Sequence, residues 1–220
     1  MPSSPWPPAP EGRASGRGIT RRRLLASASA CGLASGLVWP AVAVGAAAAA
    51  AADSEPAALL RDGGVVIAFR HALAPGTFDP PGFKLGDCST QRNLSDEGRA
   101  QARRIGAWFK ARALQPALVR SSPWCRCVET ATLAFGAAPN VWPALGSPRG
   151  ATEATNAESL GELRRAVAAA STQRGRLEVW VTHMFVLSDL VASNTASGEG
   201  LVLRADSSGA LKVLARLAVA

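Results

Sequence analysis

The stretch Val65-Val66-Ile67-Ala68-Phe69-Arg70-His71-Ala72 decides the fold. Five apolar residues, most of them β-branched or aromatic, follow the breaker Gly63-Gly64 and run straight into Arg70-His71. A run so short and so uniformly apolar predicts a strand buried on both faces, as in a parallel sheet covered by helices. A second strand, Leu177-Glu178-Val179-Trp180-Val181-Thr182, is predicted and also ends at a histidine, His183. Between the two, residues 118–122 read as a strand and 140–142 as a possible further one. Ser95 followed by Asp96 and Glu97 signals a capped helix start, since acids favour the positive end of the helix dipole. Ala102, Ile105, Trp108 and Phe109 then fall at helical spacing as its buried stripe. Pro123 opens another helix to about residue 135, and helical patterns recur over 160–170 and 185–191. Residues 201–204 and 211–217 flank the turn Asp206-Ser207-Ser208-Gly209, a final hairpin. The alternation predicts an α/β fold: a three-layer α/β/α sandwich with a mainly parallel central sheet and a C-terminal β-hairpin. Residues 74–87 hold three prolines and three glycines. They read as a long loop, and such loops in compact domains are usually functional.

The 220 residues divide into an export segment and one domain. Residues 1–46 carry Thr20-Arg21-Arg22-Arg23-Leu24-Leu25, then an apolar run with small-x-small cleavage sites at Ala41-Val42-Ala43 and Val44-Gly45-Ala46. The pattern resembles a cleaved twin-arginine signal, which implies the twin-arginine export machinery as a partner and a periplasmic or secreted location. Its hydrophobicity comes largely from alanine, with Gly32, Gly36 and Pro40 inside it, so a permanent membrane span is not expected. Cys31 after Ala28-Ser29-Ala30 only faintly suggests a lipoprotein site. Residues 47–60 read as a linker entering a short helix, and 61–220 as the folded domain. Net charge is +8, but beyond residue 46 only +4 (19 basic, 15 acidic). That is too mild for a nucleic-acid surface and compatible with an anionic small substrate.

Without the signal, Cys88, Cys125 and Cys127 are left, in an oxidising compartment. Cys88 can pair with either of the other two, or all three can stay reduced. Only two histidines are present in the whole chain. Zinc-type spacing is absent, so neither a metal nor another cofactor is expected.

Ligands of open parallel sheets bind beyond the carboxyl ends of the strands. His71 and His183 each stand at such an end, Arg70 beside the first, and Arg126 near the start of the helix after the second strand. Guanidinium groups match phosphate oxygens as bidentate forks. That helix could add its first-turn N–H groups, and a neutral, oriented histidine is a competent nucleophile toward phosphorus.

Taken in order, these motifs resemble the histidine phosphatase superfamily, the phosphoglycerate-mutase-like fold. They are Phe69-Arg70-His71-Ala72 after the strand, and Arg92-Asn93-Leu94-Ser95-Asp96-Glu97-Gly98-Arg99-Ala100-Gln101-Ala102. Ser121-Ser122-Pro123-Trp124-Cys125-Arg126-Cys127-Val128-Glu129-Thr130-Ala131 and Val181-Thr182-His183-Met184 complete the set. The resemblance implies a phosphohistidine intermediate on His71, with Arg70, Arg126 and His183 around the transferring phosphoryl group and Arg92 bordering it. Glu129 would orient an arginine, and Ser122 and Thr130 would serve helix start and packing. Pro80-Pro81-Gly82-Phe83, Asp87-Cys88-Ser89-Thr90-Gln91-Arg92-Asn93-Leu94 and Trp124-Cys125-Arg126-Cys127 look like an exported bacterial subgroup. That subgroup includes a phosphatase of lipopolysaccharide core heptose phosphate, so a phosphorylated small molecule or envelope glycan is the implied substrate.

The chain departs from the family pattern in three places. Ala72 and Met184 replace glycines; Ala72 would be strained at positive φ, and Met184 would narrow the pocket. The glutamate that mutase-like members carry after the third strand is absent from Pro143-Ala144-Leu145-Gly146-Ser147-Pro148. Glu153, Glu158, Asp79 and Asp87 are the substitutes to consider as general acid. Without one, leaving groups of lower pKa are favoured, or the domain is a degenerate, non-catalytic binder of phosphate ligands.

Overall fold

The computed structural model describes residues 55–148 and 155–220. The export signal expected over 1–46 lies outside them. The first helix, α1, covers 55–62, and Ala57 and Leu60 on it are buried in the core. Packing therefore begins ahead of residue 61, inside the stretch read as linker. Gly63 and Gly64 then turn the chain at positive φ, where a Cβ on Gly63 would lie 2.5 Å from the Arg176 backbone nitrogen.

Six strands form one sheet in the order β3-β2-β4-β1-β5-β6. They are β1 (Val65–Arg70), β2 (Leu118–Ser121), β3 (Asn140–Val141), β4 (Leu177–Thr182), β5 (Gly200–Ala205) and β6 (Leu211–Leu217). β1 to β4 pair in parallel, and β5 and β6 add an antiparallel hairpin on the β1 side. Side chains alternate across a strand, and β1 shows the consequence. Val65, Ile67 and Phe69 join one core, with Ile105, Trp108 and Phe109 of α2 (Asp96–Ala111) and Cys127 and Ala131 of α3 (Cys125–Phe135). Val66 and Ala68 join a second core on the opposite face. It includes Leu163 and Val167 of α4 (Ala157–Ser171) and Val186 and Leu187 of α5 (Met184–Val191). Two cores on two faces make the three-layer α/β/α sandwich that the alternation predicts.

This topology places the chemistry. β2, β4 and β1 are adjacent and parallel, so Ser121, Thr182 and Arg70 end side by side, and the next residues emerge on one rim. The His71 N–H donates to the Thr182 carbonyl (2.9 Å) and its own carbonyl accepts from Gly198 N–H (3.1 Å). The Ser122 N–H donates to the Val181 carbonyl (2.9 Å). The backbone at the two strand exits is thus fixed by continuation of the sheet ladder.

Candidate active site

The segment after His71 is clamped by the start of α2. Ser95 caps that helix, its hydroxyl accepting from Gly98 N–H, and Ser95 N–H donates to the Leu73 carbonyl (3.1 Å). Gly98 packs so tightly there that a Cβ would lie 2.0 Å from the Leu73 carbonyl oxygen. Gln101 Oε1 accepts from Leu73 N–H (3.0 Å), while its Nε2 donates to the Ser197 carbonyl (2.8 Å). Thr130 on α3 accepts from Ala72 N–H (3.1 Å), so it does more than pack. Ala72 is not among the positive-φ residues, which apart from glycine are Ala113 and Ala192 among the described residues. The condition for strain at Ala72, a positive φ, is not met; Ala72 packs with Ala74, Leu94 and Ala102.

Arg70, His71, Thr77, Arg92, Arg126, Ser147, His183, Met184 and Phe185 line one small cavity. All five residues singled out from the sequence meet there: both histidines, with rings 5.5 Å apart between centroids, and all three arginines. A larger groove, between the C-terminal halves of α2 and α3 and the start of β2, is lined by no histidine, cysteine or carboxylate.

His71 Nδ1 lies 2.7 Å from the Ala72 carbonyl. A carbonyl only accepts, so Nδ1 carries the proton and Nε2 keeps its lone pair. Burial, and after it the charge of Arg126, lowers the His71 pKa to about 3. The same causes hold His183 well below its ordinary value. Both rings are neutral at neutral pH. His183 Nδ1 faces Arg126 Nη2 at 3.4 Å, and a guanidinium only donates. Its Nε2 therefore carries the proton and donates to Ser122 Oγ at 2.8 Å. Ser122 thus touches the second histidine, a contact that its place ahead of a helix does not reveal. Cys127 Sγ sits 3.5 Å from the same Nε2, and burial pushes its thiol up to about 12, so it stays protonated.

Arg126 is fixed by a carboxylate from the long loop. Its Nη1 donates to Asp79 Oδ1 (2.8 Å) and Oδ2 (3.1 Å), with both side chains almost wholly buried. Asp79 also accepts from Arg92 N–H (2.9 Å) and Trp124 Nε1 (3.0 Å). Asp79 is therefore an anchor for Arg126, engaged as an acceptor, and does not line the cavity. Arg70 Nη1 donates to the Thr195 carbonyl and Arg92 Nη1 to the Ala74 carbonyl. Burial and the Arg126 charge lower Arg92 to about 10, so it stays cationic. The Nε atoms of Arg70, Arg92 and Arg126 are buried without a hydrogen-bond partner among the described residues. Three guanidiniums against one carboxylate make the site cationic and suited to a small dianion.

Other expectations fare differently. The α3 N-terminus does not offer all its donors, because Cys125 N–H donates to Gln91 Oε1 and Trp124 N–H to Ser122 Oγ. Asp87 caps a short turn by accepting from Ser89 on the surface. Glu158 sits exposed in the first turn of α4, beside Trp142 and away from the cavity. Glu153 lies outside the described residues. Glu129 does orient an arginine, Arg99, at 2.7 Å. Met184 lines the cavity at the start of α5. The open cysteine question resolves as Cys88–Cys125, with Cys127 free and buried.

Residues 86–147 match the histidine phosphatase superfamily (branch 1). No curated protein matches the chain. Among solved structures, the protein histidine phosphatase SixA complexed with tungstate is 18% identical, with a TM-score of 0.52 over 70% of this chain and 96% of its own. A phosphoserine phosphatase mutant from Entamoeba histolytica in complex with phosphoserine is 12% identical, with a TM-score of 0.52 over 69% of this chain and 95% of its own. At such identities the likeness is one of fold. The chain thus has the fold of solved histidine phosphatases and, over residues 86–147, the sequence pattern of the histidine phosphatase superfamily, branch 1.

Proposed function

We propose that this chain is a phosphomonoesterase that works through a phosphohistidine on His71. The observation that carries the reading is the tautomer of His71: Nδ1–H is spent on the Ala72 carbonyl, leaving Nε2 free beside three guanidiniums. In the first step the Nε2 lone pair forms a bond to phosphorus while the P–O bond to the leaving group breaks. The leaving oxygen takes the bonding electron pair and then a proton from solvent. In the second step water attacks phosphorus, the P–N bond breaks, and inorganic phosphate leaves with His71 restored. Arg70, Arg92 and Arg126 stabilise charge on the phosphoryl oxygens, which is the main work in such transfers. His183 donates no proton to the chemistry in this arrangement, since its N–H faces Ser122; it completes the wall of the phosphate site. Cys88–Cys125 supports an exported location, because disulfides persist in oxidising compartments. No described helix is long and apolar enough to cross a membrane.

The test is turnover of phosphate esters by the purified protein, with acid-quench trapping of the phosphoenzyme. His71→Ala is expected to lose both label and turnover, a fall of at least about 10³-fold, as a lost nucleophile implies. Vanadate stabilising a protein that never turns over or labels would instead establish the non-catalytic binder.

A further inference from the structure

Met184 and Phe185 line the cavity together with its arginines and histidines, and Phe78 on the long loop stacks on Phe185 with ring centroids 5.9 Å apart and only 8° from parallel. Phe78 is nevertheless 44% exposed. A ring that packs on one side and offers its surface to solvent beside a phosphate pocket is a platform for a second flat group. Among the described residues, no carboxylate lines the cavity to protonate a departing alkoxide. That favours leaving groups stable as anions, and phenols far more than alkanols meet this need. Two unrelated observations, an exposed ring and the lack of a carboxylate among the described lining residues, favour the same substrate chemistry.

We propose that Phe78 and Phe185 form a subsite for an aromatic leaving group, and that the substrates are aryl phosphomonoesters. This rests on the phosphatase reading for its phosphate half and adds the other half of the substrate. The experiment separates the two. Phenylphosphonate and methylphosphonate, which cannot be hydrolysed, are titrated calorimetrically into the purified protein. Phenylphosphonate is expected to bind roughly 3- to 10-fold tighter, the range of one aromatic stacking contact. Phe78→Ala and Phe78→Leu should both erase that advantage and leave methylphosphonate affinity unchanged, the second showing that the ring rather than the bulk matters. Equal affinities in the parent protein, an advantage that survives both substitutions, or no binding of either phosphonate overturns the subsite. Phenyl phosphate and a hexose phosphate are then compared as substrates. A higher kcat/KM for the sugar ester overturns the proposal, and a higher value for the aryl ester supports it. Phosphonate discrimination without turnover of any ester supports the subsite and overturns the catalytic reading alone.

Discussion

His71 and His183 differ in what occupies their nitrogens, and this is the finest scale at which the site can be tested. The chain has only these two histidines, so both imidazoles can be followed without assignment ambiguity by nuclear magnetic resonance. With His71 lowered to about 3 and His183 also well below its usual value, neither ring should titrate between pH 5 and 8. A midpoint near 6.5 for either would mean that it is solvated. Asp79 gives a second test. Asp79→Asn leaves the buried Arg126 guanidinium without its counter-charge, and breaking such a pair costs about 3 kcal/mol. Phosphate should restore part of that loss, since a dianion supplies the missing charge. Denaturant titrations with and without phosphate would show it. An equal loss under both conditions would place Arg126 away from the anion.

At the scale of elements, the start of α2 is a clamp on the strand exit. Gly98→Ala drives a Cβ against the Leu73 carbonyl and is expected to destabilise the protein by about 3 kcal/mol. It should also lower turnover more than phosphate affinity, as Leu73 follows closely on His71; a folded variant of full activity would show that the clamp is dispensable. The Cys88–Cys125 bond joins the loop segment of Gln91 and Arg92 to the first turn of α3 across 37 residues, a closure worth roughly 4 kcal/mol. A Cys88→Ser, Cys125→Ser double variant should therefore unfold at lower denaturant concentration. Strands and helices were largely legible in the sequence, because β1 is apolar from Val65 to Phe69, β4 is mostly apolar, and Ser95 caps with the acids after it. The site was legible wherever a residue directly follows a strand or opens a helix, as with His71, His183 and Arg126. Asp79 and Phe78 were not placeable. Both sit in a loop without periodicity, and only the tertiary fold decides that one meets Arg126 and the other Phe185. Ser122 was visible as a helix-start residue, but its contact with His183 crosses between strands.

For the whole molecule, acid should be the destabilising direction. The unfolded chain takes up protons on its histidines near pH 6.5, while the folded chain resists doing so until about pH 3 at His71. The unfolded state thus binds more protons in that window, and stability falls as the pH is lowered through it. His183 acts in the same sense. Urea midpoints measured from pH 7 to 3.5 would show the decline, and a flat profile would contradict the burial of both rings. The site draws on residues from Arg70 to Phe185, and the His71 carbonyl also needs Gly198. Nothing shorter than nearly the entire domain can bring these groups together. A chain still emerging from the ribosome has not yet brought these groups together. Phosphoryl transfer by this protein would double as a report that its synthesis and folding are complete.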